Sequence, residues 1–309
     1  MSRSSTASVN IGLTNFARGV QQDRKQSLAD FLAPVVKVAG ASGQYKDFND
    51  ANAFTVYATD RALGGDAQRI AFSAADQWFN CRPQALEVTI DQAERDQAGN
   101  SSMADAVLTE GKVVALLNAQ TLSHEKKVID YIVANTTPVA DRGNWSNEDI
   151  DPIDQLDEQL DQMSLAVGST DDFRMALSVS SWRILRNHPK VKARCSGVQV
   201  GGISLKQLQE ILIFPVEVRL GILATTGVKM PAVGTKARVL GSNVVITYAM
   251  QNPTVYDPSG FKTFTVAAGY VDSVRSWTDA SGRFEVHAVD WSEDIKQTST
   301  ESSRRLVIT

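Results

Sequence analysis

The chain has 309 residues, 43% hydrophobic and 21% charged, with a net charge of −4. That composition excludes collagen-like, disordered and disulfide-scaffold proteins, and the length suits about two domains or one large domain with an excursion. The acidic balance also excludes a bulk nucleic-acid binder, which needs a basic excess or stripe to meet phosphates.

The first 26 or so residues are polar, rich in Ser, Asn and Gln, with Arg3, Arg18, Arg24 and Lys25. Such a segment buries too little apolar area to offset its own ordering entropy. It reads either as an arm that orders against another surface or as a frayed terminus. Ser27 is placed to cap a short helix whose Leu28, Phe31 and Leu32 share a face, and Pro34 ends it. Val35, Val36 and Val38 then favour extended structure.

Residues 40–80 predict a two-stranded ribbon. Phe54, Val56 and Ala58 alternate with Thr55, Tyr57 and Thr59, while Ile70 and Phe72 begin a second extended run. Leu63-Gly64-Gly65-Asp66 between them is a turn signal. An isolated ribbon is marginal in water, so this one needs a surface from its own chain or a neighbour. Leu86, Val88 and Ile90 alternate as a half-buried strand. Ser101 or Ser102 caps a helix running to about Asn135, which if continuous is about 50 Å long. A break near Thr121-Leu122-Ser123 would divide it, and Gly111 weakens it by roughly 1 kcal/mol relative to Ala.

Asp151-Pro152 opens a second helix with stripe Ile153, Leu156, Leu160 and Met163, ended by Gly168. Beyond it strands and short helices interleave. Met175, Leu177 and Val179 alternate; Ser180 or Ser181 starts a helix through Trp182, Ile184 and Leu185 that Pro189 stops. Ser204 and Gln207 are spaced for a capping box. Extended runs follow at 214–220, 237–240, 244–248 and 261–270, then Phe284, Val286 and Ala288, with Leu306-Val307-Ile308 as an edge strand. The fold class is α+β.

The catalytic inventory is thin. His124, His188 and His287 are the three histidines, and none has a second ligand at zinc-helix spacing. His124 sits mid-helix, His188 at a helix end where positive charge suits the dipole, and His287 on the polar side of the last strand. No nucleophile elbow, phosphate loop or dinucleotide fingerprint occurs. Arg82 beside Cys81 would lower the thiol pKa, but a buried structural thiol is the expectation. Cys81 and Cys195 make no disulfide framework. The acidic run Glu148, Asp149, Asp151, Asp154, Asp157, Glu158 and Asp161 lacks the calcium-loop pattern. It reads mainly as a solvated helix face, with a divalent-ion or subunit contact as the alternative. No catalytic, cofactor-binding or metal-ligating residue is therefore assigned, and no cofactor. The start MSRSSTASVN has no apolar signal region, and the apolar stretch 211–228 is broken by Pro215, Glu217 and Arg219. The expected setting is soluble, reducing and cytoplasmic, without a membrane.

The order of features, polar arm, ribbon, long helix and mixed domain, resembles tailed-bacteriophage major capsid proteins with the Hong Kong 97-like fold. Gly43-Gln44-Tyr45-Lys46-Asp47-Phe48, Thr59-Asp60-Arg61-Ala62 and Cys81-Arg82-Pro83-Gln84-Ala85-Leu86-Glu87 resemble that family's extended-loop region. Asp151-Pro152-Ile153-Asp154 and Trp182-Arg183-Ile184-Leu185-Arg186-Asn187-His188-Pro189-Lys190-Val191 resemble its entry into the apical domain. The resemblance implies an N-terminal arm (1–30), an extended loop (40–80) and a peripheral domain with a spine helix (31–39 and 81–167). It further implies an apical domain (168–265) and return strands of the peripheral domain (266–309).

It implies a structural protein rather than an enzyme, self-assembling into hexamers and pentamers of an icosahedral head around double-stranded DNA that it does not read by sequence. Scaffold, portal and decoration proteins are the further partners it implies, with assembly in the host cytoplasm and the virion capsid as destination. An encapsulin-like nanocompartment shell is the alternative, and an enzyme with an unrecognised site a more distant one.

Overall fold

A computed structural model describes residues 8–22, 27–47, 60–61, 75–99, 101–194, 202–226, 234–266 and 273–309. The turn at Leu63–Asp66, the alternation at 54–59, the run from Ile70 and Cys195 lie outside them.

In chain order, the arm gives β1 (Ser8–Val9) and α1 (Ile11–Gln22), followed by α2 (Ala29–Leu32), β2 (Val35–Lys37) and β3 (Ser42–Asp47). Next come β4 (Ala75–Asn80), β5 (Arg82–Asp91), α3 (Gln92–Ala98) and the spine helix α4 (Ser102–Asn135). The middle holds α5 (Pro152–Val167), β6 (Phe173–Ser178), α6 (Val179–Asn187), α7 (Pro189–Arg194) and α8 (Leu205–Ile211). Then follow β7 (Val216–Gly221), β8 (Ala224–Thr225), β9 (Ala237–Arg238), β10 (Asn243–Tyr248) and β11 (Phe261–Thr265). The last strands are β12 (Ser273–Thr278), β13 (Phe284–Gln297) and β14 (Ser303–Val307).

Two sheets carry the fold. The first is ordered β1-β12-β13-β11-β2, with β5 also on β13. Strand β13 is its axis, pairing with β5 from Phe284↔Asp91 to Glu293↔Arg82 and with β11 from Asp294 onward. The second sheet is ordered β14-β10-β6-β7, with β6 and β7 parallel. The feet of the ribbon, β3 and β4, pair from Ser42↔Asn80 to Asp47↔Ala75.

Local chemistry sets most helix ends. Ser101 Oγ accepts from the Ala104 amide, and the spine runs unbroken through 121–123 to Asn135. Its continuity follows from burial on nearly every turn, from Val113 through Leu117, Val128 and Ile129 to Ile132. Asp151 caps α5, Pro152 holds its first position, and Gly168 closes it with φ 70°. The Ser204–Gln207 capping box forms as spaced. Helix α6 starts earlier than its serines predicted, because Ser178 Oγ accepts from the Ser181 amide. The run at 237–240 is strand only over Ala237–Arg238; Gly241, at φ 62°, lies in the turn that follows.

Gly111 lies on the exposed side of the spine, and a Cβ there would meet nothing within 4 Å. Gly111→Ala should therefore stabilise the chain by about 1 kcal/mol. Thermal melts of parent and variant check this; an unchanged or lower midpoint would contradict it.

The arm residues 8–22 dock on their own chain. Leu13, Phe16 and Ala17 pack with Val113, Leu116, Leu117, Val274 and Trp291. Helix α2 joins the two sheets: Leu28, Phe31 and Leu32 pack on Val128, Ile129 and Ile132 of the spine and on Ala176 and Val245 of the second sheet. Arg219 and Arg174 stand 4.4 and 5.6 Å over the Phe31 ring. Three elements pack across the segment boundaries read from sequence, one of them β14, which pairs with β10 of the second sheet. Helix α5 buries its stripe with Phe173, Met175, Val244 and Ile246 of the second sheet, while β11 pairs with β13 and β2 of the first. The physical reason is the apolar stripe itself, which covers the nearest uncovered sheet face.

Candidate functional site

The polar groups that could do chemistry are locked into structure. His124 is 4% exposed on the spine, with Nδ1 at 2.6 Å from Glu293 Oε2 and Nε2 at 3.5 Å from Asp30 Oδ1. Burial opposes its charge, but the Asp30 and Glu293 carboxylates more than offset this and carry its pKa up to about 9. Lys127 Nζ donates to the other Glu293 oxygen at 2.8 Å and to Gln84. Next to His124 in the chain, Glu125 Oε2 accepts the Leu28 amide at 2.9 Å and Ser27 Oγ the Ala29 amide, so the first amides of α2 are bonded partly from 97 residues away. Burial pushes the Glu125 carboxyl up, against the pull of that amide. An imidazole with a carboxylate at each nitrogen is a protonated strut, not a general base.

His188 closes α6 through its backbone N–H, which donates to the Leu185 carbonyl oxygen, while its Nε2 lies 3.2 Å from the Asn147 carbonyl oxygen. His287 is buried, contrary to the polar side expected of it, because β12 and β5 flank β13 there. Its Nδ1 lies 2.8 Å from Ser276 Oγ and its Nε2 3.6 Å from Glu285. Burial lowers its pKa, which keeps the ring neutral. Serine, histidine and carboxylate thus stand in hydrolase order, a line that sequence reasoning missed because Ser276 and His287 meet only through strand register. Glu285 is nevertheless held by Arg95, and 3.6 Å is beyond hydrogen-bond reach.

An open cleft of about 550 Å³ lies elsewhere, at the edge of the second sheet, lined by Asp172, Arg174, Lys206, Glu210 and Glu217 among others. Its lining contains no histidine, cysteine, serine or threonine. Among the described residues no three His, Cys, Asp or Glu side chains converge as metal ligands. None of the described helices is long and apolar enough to cross a membrane.

Cys81 is buried under the ribbon feet, its Sγ donating to the Phe264 carbonyl oxygen at 3.4 Å. Burial, then Asp294, pushes its pKa up to about 11, so Arg82 does not activate it. In a Cys195→Ser background, Cys81 should resist a thiol reagent at pH 8 until denaturant is added. Rapid labelling of the folded chain would contradict this.

The acidic run is put to several uses. Asp151 caps α5 and pairs with Arg194 at 2.8 Å, Glu158 takes Arg142 at 2.8 Å, and Asp157 accepts the Ile213 amide at 3.0 Å. Asp154 and Asp161 point outward.

What is left exposed is apolar surface of the kind that partners cover. The ribbon feet are anchored by Tyr45 and Phe79 on Phe264, with the Phe79–Phe264 rings stacked at 4.7 Å. Above that anchor Trp78 is 64% exposed. Met103 and Val107 stand exposed one turn apart at the start of the spine. Contiguous exposed apolar patches mark contact surfaces, and Met103 and Val107 adjoin on one face of the spine.

No family model matches the chain. The major capsid protein of Pseudomonas phage JBD67 is 26% identical over 207 residues, which cover 63% of this chain and 64% of that protein. A phage-related protein of Bordetella bronchiseptica RB50 superposes with a TM-score of 0.75 at 21% identity, over 98% of this chain and 97% of that one. The capsid of cyanophage P-SCSP1u superposes with a TM-score of 0.57 at 12% identity, over 93% of this chain and 89% of that one. The chain has a phage capsid fold.

In that capsid fold, the buried polar groups make structural sense. His124, Glu125 and Glu293 tie the spine to α2 and to β13, and Arg95 ties α3 to Glu285 and to Asp105 of the spine. Among the described residues, the helix read from Ser101 or Ser102 to about Asn135 forms as one element, α4.

Proposed function

We propose that this chain is the major capsid protein of a tailed phage. Copies of it assemble into hexamers and pentamers and close an icosahedral head around double-stranded DNA. The observation that carries this reading is the 207-residue match to a phage major capsid protein. The same match favours a phage head over a nanocompartment. The ribbon and its exposed Trp78 support it physically, since a two-stranded ribbon needs a further surface. Contacts spread over several interfaces can each be modest and still hold a closed lattice. The net charge of −4 suits a wall that must not grip the packaged phosphates.

In this reading residues 1–30 are the arm, 40–80 the extended loop, the first sheet and spine the peripheral domain, and the second sheet with α5 to α8 the apical domain. Scaffold, portal and decoration proteins are its partners, the host cytoplasm its place of assembly and the virion its destination. It has no enzymatic role. Negative-stain microscopy of the purified chain should show closed particles or rings. A compact monodisperse monomer at high concentration would overturn the proposal.

A further inference from the structure

Two strongly charged faces of opposite sign fold side by side, and each is only partly neutralised. Residues 148–161 carry seven acidic side chains and no basic one; residues 183–194 carry five basic side chains and no acidic one. Within the chain they are joined by Arg194 on Asp151 and by Lys190 on the Asp149 carbonyl oxygen. Among the described residues, Asp154 and Asp161 on α5 and Arg183 and Lys192 on α6 and α7 are exposed and form no ion pair. Leu165 follows Asp161 by one turn on the same face of α5 and is 81% exposed. Leu165 thus sets one exposed apolar side chain beside the acidic ones on this face.

We propose that the basic α6–α7 face of one copy docks on the acidic α5 face, with Leu165, of a second copy. Charge complementarity selects that occupant. Like faces brought together would repel, whereas unlike faces attract, so the acidic face of one copy meets the basic face of another. A heterologous contact of this kind closes into a ring when its rotation allows. The inference rests on the shell reading above and gives it a specific surface.

The test uses the full chain in three variants: R183E/K192E, D154K/D161K, and the four changes combined. Assembly is followed by light scattering and negative stain, and folding by thermal melts. Each pair alone should lower the assembled fraction about tenfold at a fixed concentration, the effect of losing close charge pairs across an interface. The combined variant should assemble again, because its two faces are once more complementary. Parent assembly should weaken as salt rises. Single-face variants that assemble like the parent would overturn the inference, as would a well-folded combined variant that does not recover. Closed shells of R183E/K192E that merely retain less DNA would assign the basic face to phosphate instead, and overturn it too. A parent chain that never assembles would sink the shell reading itself, and this pairing with it.

Discussion

Glu293→Gln should lose about 3–5 kcal/mol of stability, the usual cost of leaving one member of a buried ion pair uncompensated. Glu293 is buried and takes His124 on one oxygen and half-exposed Lys127 on the other, so the substitution strips the buried imidazolium of its nearer carboxylate. Denaturant titration of the purified subunit reads the loss. The same site also sets a pH dependence. The His124 pKa stands at about 9 in the folded chain, against about 6.5 for an unperturbed histidine. The raised value means that its stabilisation is complete below about pH 6.5 and is lost as the pH rises through about 9. The parent should therefore lose stability between pH 7 and 10, and Glu293→Gln should lose less over that range. Parallel profiles for the two proteins would remove His124 from the account.

Excising residues 48–74 and joining the strands at Asp47 and Ala75 by a short Gly-Ser turn should abolish closed shells and leave a folded subunit. The subunit survives because the ribbon feet keep their own anchor. Tyr45 and Phe79 still pack on Phe264, and the Tyr45 hydroxyl still donates to the Gln297 carbonyl oxygen at 3.3 Å. The shells fail because a ribbon that is marginal alone is stabilised by what it touches, and its loss removes an interface from every copy. Melting curves and negative stain separate the two effects. Closed particles from the shortened chain would show that the ribbon is dispensable for assembly.

What could be read from the residues was what local physics decides. The Asp151–Pro152 start, the Gly168 stop and the Ser204–Gln207 box each depend on neighbours within four positions. The spine was legible because its apolar stripe recurs over many turns. Strand β12 was missed because Ser-Val-Arg-Ser-Trp-Thr buries only Val274 fully, a single beat of any alternation. The stretch after Asp294 is mostly polar up to Leu306, yet Thr298, Ser299, Ser302 and Ser303 are buried. The Thr298 and Ser302 hydroxyls find distant acceptors, Thr298 Oγ1 donating to the Ser259 carbonyl oxygen and Ser302 Oγ to that of Pro258 at 3.0 Å. Lys262 is likewise fully buried, its ammonium 2.6 Å from the Asp257 carbonyl oxygen and 3.1 Å from its carboxylate. Composition labels such residues as surface; only the assembled neighbourhood makes them core. For the same reason the ring of carboxylates around His124 could not be foreseen, since Asp30 and Glu293 reach it from opposite ends of the sequence.

Strand β13 leaves a mark on how each molecule is made. Its neighbours β5 and, through β11, β2 emerge from the ribosome long before Phe284 does. At ordinary elongation rates of about 5–20 residues per second, the delay is on the order of 10–50 seconds. During that time half of the first sheet waits without its central partner, and no subunit face is complete. A chain cut short before Phe284 would therefore lack the strand that joins β5, β11 and β12 into one sheet.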